Sequence, residues 1–420
     1  MTNSLLKKFI RNNAIVFILL NSAGLLSYIF QVVLGSTLPP DQYGSFNSLL
    51  ATGALITTPI TILHLVFSRF IARINGQKLQ HIKSLLTISL KFILCIALGI
   101  FLIGLSFSPW LKNFLNTETT LPIILMLLAA CFSSFQQIFI AVCEGMQRFL
   151  SLGMISGGGA LAKILFAILF VVILGWGVEG GLLALSFATF SALAYGIWQF
   201  QDIFKVQAVA LHSSSLMEMA RFSIPSFFMI TMVSIMCNID IVLARHYCLP
   251  DQAGYYATAT ILGRIAFFLP SSLLMVLFPS VAKATVSGSK DNHYLWVSLG
   301  LTFILSGGVF LVFFIAGQSI IQLFYGEQYY SAVPILEIVS AAMGLLAISH
   351  VIFSYNMARS EFGFLWPLFG GVILLLSLVF LYHDSAQTIA WVLLFSTATI
   401  FFGTVLNRVY LSFFHPKPSI

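Results

Sequence analysis

Leu38-Pro39-Pro40-Asp41-Gln42-Tyr43-Gly44-Ser45-Phe46 fills the short gap between the first two long apolar runs of the chain. A close copy, Leu249-Pro250-Asp251-Gln252-Ala253-Gly254-Tyr255-Tyr256, returns far downstream. Both copies read Pro-Asp-Gln-x-Gly-x-aromatic, and Pro40 and Pro250 lie 210 positions apart. Proline stops the preceding helix, aspartate is suited to cap the next, and glycine lets that helix begin close to a neighbour. The two copies therefore predict hairpin turns at corresponding places in two related halves.

The register extends beyond the motif. Pro59 answers Pro270, Pro122 answers Pro334, Arg148 answers Arg359 and Gly159 answers Gly370, at offsets of 211 or 212. Six apolar runs separate the copies. Six is even, so both halves enter a membrane in the same orientation, a parallel repeat. Two bundles of this kind suit alternating access, in which one half rocks against the other around a central cavity. The Ser-rich segment 200–221 joins them, which sets the halves at 1–205 and 206–420.

Composition demands the membrane. Of 420 residues, 59% are hydrophobic and only 8% are charged, with a mean hydropathy of +1.00. A soluble domain carries roughly 25% charged residues. A span needs about 20 apolar residues. About twelve such runs are predicted, at 14–37, 43–68, 89–110, 121–143, 151–174, 181–199, 222–247, 253–280, 297–317, 333–353, 364–382 and 388–412. Their lengths specify helices rather than shorter, alternating transmembrane strands. Lys7, Lys8 and Arg11 precede the first run, which continues into the Pro39-Pro40 turn and reads as a retained span rather than a signal peptide.

The net charge of +7 reads as topology, not as affinity for nucleic acid. With the N-terminus inside, all but four of the 20 Lys and Arg residues fall in or beside cytoplasmic segments. Lys112 and Arg245 face outward, while Lys163 and Arg264 lie within spans. Both termini are then cytoplasmic and both motif copies external. The five cysteines form no CxxC or Cys/His cluster, so neither a disulfide framework nor a metal site is expected.

Several stretches resemble one family. The first span and its turn, from Gly24-Leu25-Leu26-Ser27-Tyr28 to Phe46, are similar to the N-terminal signature of bacterial polysaccharide-biosynthesis flippases. These are O-antigen and lipid-linked oligosaccharide translocases of the multidrug/oligosaccharidyl-lipid/polysaccharide exporter superfamily. Glu144-Gly145-Met146-Gln147-Arg148 resembles the loop after the fourth helix, and Gly175-Trp176-Gly177-Val178-Glu179-Gly180-Gly181 the turn before the sixth. Ser223-Ile224-Pro225 through Asp240 resembles the opening of the second half, and Leu323-Phe324-Tyr325-Gly326-Glu327-Gln328-Tyr329 the turn before the tenth helix. The resemblance implies an all-α integral membrane protein of about twelve transmembrane helices, two parallel six-helix repeats in an exporter-superfamily (MATE-like) fold. It implies a flippase of the bacterial inner membrane, not an enzyme. Its substrate would be an undecaprenyl-diphosphate-linked oligosaccharide, carried without chemical change and without a cofactor. Membrane lipids, a polysaccharide polymerase and chain-length proteins are the expected partners.

Ionisable residues deep in spans are costly and generally face a cavity or a partner. Lys163 lies mid-span in the fifth run and would offer a cation to a phosphate or acidic sugar, or else pair with a neighbouring helix. Arg264 lies some ten residues into the eighth run, roughly 15 Å deep. Asp240 is at similar depth in the seventh. The two are placed to form an ion pair, which either pins the hairpin or gives an anion-binding arginine with a counter-charge or coupling-ion ligand. The register pairs Lys163 with Leu374, Arg264 with Gly53 and Asp240 with Gln31, so the charges break the repeat. His64, Arg69 and Glu337 are further cavity or coupling candidates, against core or snorkelling roles. Gln136, Gln137 and Asn238 are suited to sugar hydroxyls or to interhelical hydrogen bonds.

Two other functions compete. A cation-coupled multidrug antiporter would keep the fold but need an acidic cavity, for which only Asp240 and Glu337 qualify. A membrane polysaccharide polymerase would need a large external loop, and the longest external segment is about 318–332.

Overall fold

The computed structural model describes residues 22–73, 79–207, 209, 213–271, 292–359 and 361–414. Among these there is no strand. The helices are α1 (Ser22–Thr37), α2 (Pro40–Arg73), α3 (Leu79–Ser106), α4 (Ser108–Phe114), α5 (Leu121–Gly145), α6 (Phe149–Ala167), α7 (Gly177–Gln199) and α8 (Gln201–Lys205). There follow α9 (Ser213–Tyr247), α10 (Pro250–Gly263), α11 (265–271), α12 (Asn292–Tyr325), α13 (Val333–Ala358), α14 (Leu365–Leu381) and α15 (Ala386–Phe414). Nine helical segments among the described residues are long and apolar enough to cross a membrane, and α1 and α14 are shorter apolar helices. Helices α10 and α11 cover the start of the eighth expected run; its end, 272–280, lies outside the described residues. Large apolar side chains such as Ile315 and Trp366 stand fully outward, as a lipid-facing surface requires.

Proline marks the helix starts in both halves. Pro40 opens α2, Pro250 opens α10, and Pro122 and Pro334 sit in the first turns of α5 and α13. A first-turn N–H has no intrahelical partner, so proline there costs nothing and presets the backbone. The aspartates of the motif do not cap. Each helix begins at the proline itself, and Asp41 and Asp251 lie in the first turn, where they oppose the positive helix end. Proline inside a helix leaves a carbonyl without its N–H. At Pro270 that carbonyl belongs to Ala266, and the Ser306 hydroxyl of α12 donates to it at 2.7 Å.

The chain divides into two compact units, Met1–Pro39 with Thr52–Phe227 and Pro40–Ala51 with Phe228–Ile420. In the first, α3, α5, α6 and α7 pack around a core that includes Ile82, Ile93, Phe139, Val142, Leu152 and Phe200. Helix α6 ends in a π-helical stretch, Ile168–Ile173. Short α8 is tied to α3: Lys83 donates to the Phe204 carbonyl at 2.7 Å, and Ser84 exchanges hydrogen bonds with the backbone of Val209.

In the second unit, α13 packs against α10, α12 and α15. Residues 40–51 belong here, which brings the two motif copies together. A Cβ on Gly44 would lie 2.7 Å from the Gly254 nitrogen, and one on Gly254 would overlap the Pro40 carbonyl. The equivalent glycines of the two copies thus touch backbone to backbone. Around them Tyr43, Tyr325 and Tyr329 are fully buried, with edge-on rings 5.6–6.0 Å apart, and Tyr255 packs on Tyr329. Gly326 adopts φ +88° between two of these tyrosines, a left-handed turn that suits glycine. Arg245 donates to the Asp41 carbonyl at 3.3 Å.

Because the clash is with backbone, alanine at Gly254 has no flexible neighbour to displace. Gly254→Ala should destabilise by about 1–3 kcal/mol. Gly157→Ala, mid-helix where nothing lies within 4 Å, should not destabilise and should gain up to about 1 kcal/mol from helix propensity. Thermal unfolding of both variants in one detergent checks this; equal melting would remove the tight contact.

Candidate functional site

The expected ion pair is present in the second unit. Arg264 Nη2 lies 3.2 Å from Asp240 Oδ1, and Asp240 is fully buried. The other carboxylate oxygen accepts from the Tyr256 hydroxyl at 3.1 Å. Tyr256 is the aromatic that ends the second motif copy, so the motif itself supplies this partner. Arg264 stands where α10 stops: its N–H still bonds Thr260, and α11 starts one residue later. Its guanidinium Nε is buried without a hydrogen-bond partner. Asn238, half a turn before Asp240, donates to the Ser234 carbonyl of its own helix at 2.9 Å. Glu337 is half-buried in the second turn of α13, and its carboxylate has no hydrogen bond or ion pair among the described residues. Its carbonyl accepts from Ser340.

The first unit holds Lys163. It is half-buried in α6 and has no hydrogen bond or ion pair among the described residues. Gly159, one turn earlier on the same face, is where α6 meets its neighbours: a Cβ there would lie 3.3 Å from Ala192 of α7 and 3.6 Å from the Gln136 amide of α5. This turn of α6, one turn before Lys163, thus lies beside Gln136. Gln137 is half-buried on α5, with no side-chain hydrogen bond among the described residues. His64 Nε2 lies 3.1 Å from Glu144 Oε2 at the end of α5, an ion pair when the imidazole is protonated. Arg69 belongs to α2 by its backbone, and its side chain lies outside the described residues.

Sequence reasoning missed three residues. Tyr256 and Glu144 lie within motifs, but nothing in a motif tells which side chain each touches. Glu361 lies in no motif. It ties Arg359 to Arg408, at 3.0 and 3.1 Å.

The helical architecture and its buried charges define an all-α membrane protein of the exporter fold. That fold is similar to a multidrug resistance MATE family transporter of the MOP superfamily in its inward-facing conformation, with a TM-score of 0.78 and 13% identity over 94% of this chain and 98% of that one. It is also similar to the lipid II flippase MurJ in an inward closed conformation, at 0.71 and 12% over 94% and 87%. A MOP superfamily transporter from Pyrococcus furiosus, described as having a binding pocket of reversed polarity, matches at 0.68 and 12% over 96% and 94%. A family model described as polysaccharide biosynthesis protein matches residues 10–285, and the chain belongs to that family. No curated protein sequence matches it.

Breaking one side of a buried ion pair strands the other charge and costs about 3–5 kcal/mol, whereas replacing both sides with apolar residues is often neutral. Asp240→Leu should therefore unfold at a clearly lower temperature, and Asp240→Leu with Arg264→Leu should recover most of that loss. A double-mutant cycle on purified protein measures the coupling; additive effects would mean the pair contributes nothing as a pair.

Proposed function

We propose that the chain is a flippase carrying an undecaprenyl-diphosphate-linked oligosaccharide, an O-antigen unit or similar surface polysaccharide unit, from the cytoplasmic to the outer leaflet of the bacterial inner membrane. Both termini are cytoplasmic in this reading. The halves 1–205 and 206–420 alternate access by rocking. The chain acts without a cofactor and hands its cargo to a polysaccharide polymerase.

Lys163 carries the proposal. A half-buried lysine in an apolar helix, with no counter-charge among the described residues, costs several kcal/mol unless something pairs with it. A diphosphate supplies that charge, and charge-assisted hydrogen bonds to phosphate are strong. Membership of the polysaccharide biosynthesis family supports a lipid-linked sugar as the bearer. Gln136, beside Gly159, suits a sugar hydroxyl or phosphate oxygen next to Lys163. Arg264 has a different standing. Asp240 already neutralises it, so it serves first to fix the end of α10 and can meet an anion only through the donors Asp240 leaves open. Glu337, His64 and Arg69 remain candidates for coupling to an ion.

The MATE-type fold favours one alternative, a cation-coupled drug antiporter. A cationic drug needs an uncompensated carboxylate. Asp240 is bound by Arg264 and Tyr256, which leaves Glu337 of the two candidates.

In cells lacking their own flippase, Lys163→Ala should lower surface glycan at least tenfold at equal expression, and Lys163→Arg should restore most of it. Arg264→Ala should fail mainly through reduced folded protein. Parental glycan levels from Lys163→Ala would overturn the assignment. Ethidium resistance conferred by the parent and lost in Glu337→Gln would favour the antiporter.

A further inference from the structure

We propose that Tyr355, Arg359 and Arg408 form a binding site for a phosphate group, held closed in this structure by the carboxylate of Glu361. The four side chains make a closed ring. Arg359 Nε donates to Glu361 Oε1 at 3.0 Å, and Arg408 Nη1 to Oε2 at 3.1 Å. Both arginines also donate to the Tyr355 hydroxyl, Arg359 Nη1 at 3.2 Å and Arg408 Nη2 at 3.3 Å. The two guanidinium carbons stand 5.6 and 4.8 Å from the Tyr355 ring centre. Two cations around one carboxylate leave the ring with a net charge of +1.

Two guanidiniums converging on a pair of acceptor oxygens is the geometry that recognises carboxylate and phosphate alike. Here the pair of oxygens belongs to the chain. Glu361 sits outside both helices, in the connection between the end of α13 at Ala358 and the start of α14 at Leu365. Arg408 is held in α15 and Tyr355 is fully buried in α13. The carboxylate is thus on the element with the least helical support, and the site that it fills is on the helices. The charged side chains are 16–22% exposed, within reach of a small anion.

The repeat supplies the control that separates a ligand site from a mere staple. At an offset of 211, Arg359 answers Arg148, Glu361 answers Leu150 and Arg408 answers Ile197. The first half keeps the arginine, over the ring of Phe200 at 5.5 Å, and has apolar residues where the second half has the carboxylate and the second arginine. Packing at this position does not require the ring. A phosphate does, and its oxygens would compete with the Glu361 carboxylate for both guanidiniums. The source is either the headgroup of a membrane lipid or a free phosphate. The proposal is independent of what the chain transports.

The test uses the full chain in nanodiscs, in a Lys163→Ala background so that the proposed transport site does not contribute. Pyrophosphate is titrated in phosphatidylcholine discs, and phosphatidylglycerol is added to the lipid in a second arm; thermal unfolding is the readout. Glu361→Gln removes the competing carboxylate from both arginines and should tighten anion binding about tenfold. The pair Glu361→Leu with Arg408→Ile installs the residues of the first half and should abolish the response. A response to pyrophosphate identifies a free phosphate, and one confined to phosphatidylglycerol discs identifies a headgroup. If neither anion acts on the parent or on Glu361→Gln, or if the double variant responds like the parent, the site is refuted. If the double variant does not fold, Glu361→Gln decides: unchanged affinity refutes the proposal.

Discussion

The second unit depends on one backbone contact, that of Gly44 and Gly254 with the Pro40 carbonyl beside them. No side chain fits there. Everything the motif contributes follows from that approach. Proline starts each helix without an N–H to satisfy, and glycine lets the two starts meet. The aromatic positions then fall into place. Tyr43 enters the buried tyrosine cluster, and Tyr256 turns inward to Asp240. The contact also explains why residues 40–51 belong to the second unit although the rest of α2 belongs to the first.

The buried charges divide by whether the protein neutralises them. Asp240 and Arg264 neutralise each other, and a hydroxyl takes the remaining carboxylate oxygen. Such a pair is close to neutral for stability, because desolvation offsets the attraction. The pair links α9 to the end of α10. Lys163 has no such arrangement among the described residues, and the same desolvation is uncompensated there. On the proposed reading, that cost is kept for a ligand.

Much of the fold was legible because the membrane restricts the choices. Apolar runs about 20 residues long have to be helices, and the offset of 210–212 between prolines, glycines and arginines revealed the duplication before any coordinate did. The Asp240–Arg264 pair was legible from equal depth on neighbouring helices. What escaped was side-chain direction. Asp41 and Asp251 read as caps, yet the helices start one residue earlier, at proline, and leave them in the first turn. Glu144 meets His64 across 80 residues of chain, and Glu361 meets Arg408 across 47. No local pattern encodes such pairings, because helix packing sets them. The unit boundary escaped for a similar reason. Composition changes at the linker 200–221, while the compact units follow contacts, and Lys83 and Ser84 hold Phe204 and Val209 of that linker to the first unit.

Lipid movement between leaflets tests the central claim most directly. Purified chain is reconstituted into vesicles with a fluorescent undecaprenyl-diphosphate-linked oligosaccharide, and an impermeant quencher reports the leaflet that holds the sugar. Vesicles containing the protein should expose the inner-leaflet label at least ten times faster than protein-free vesicles. Equal rates with and without protein, alongside protein-dependent ethidium exchange in the same vesicles, would contradict the flippase account.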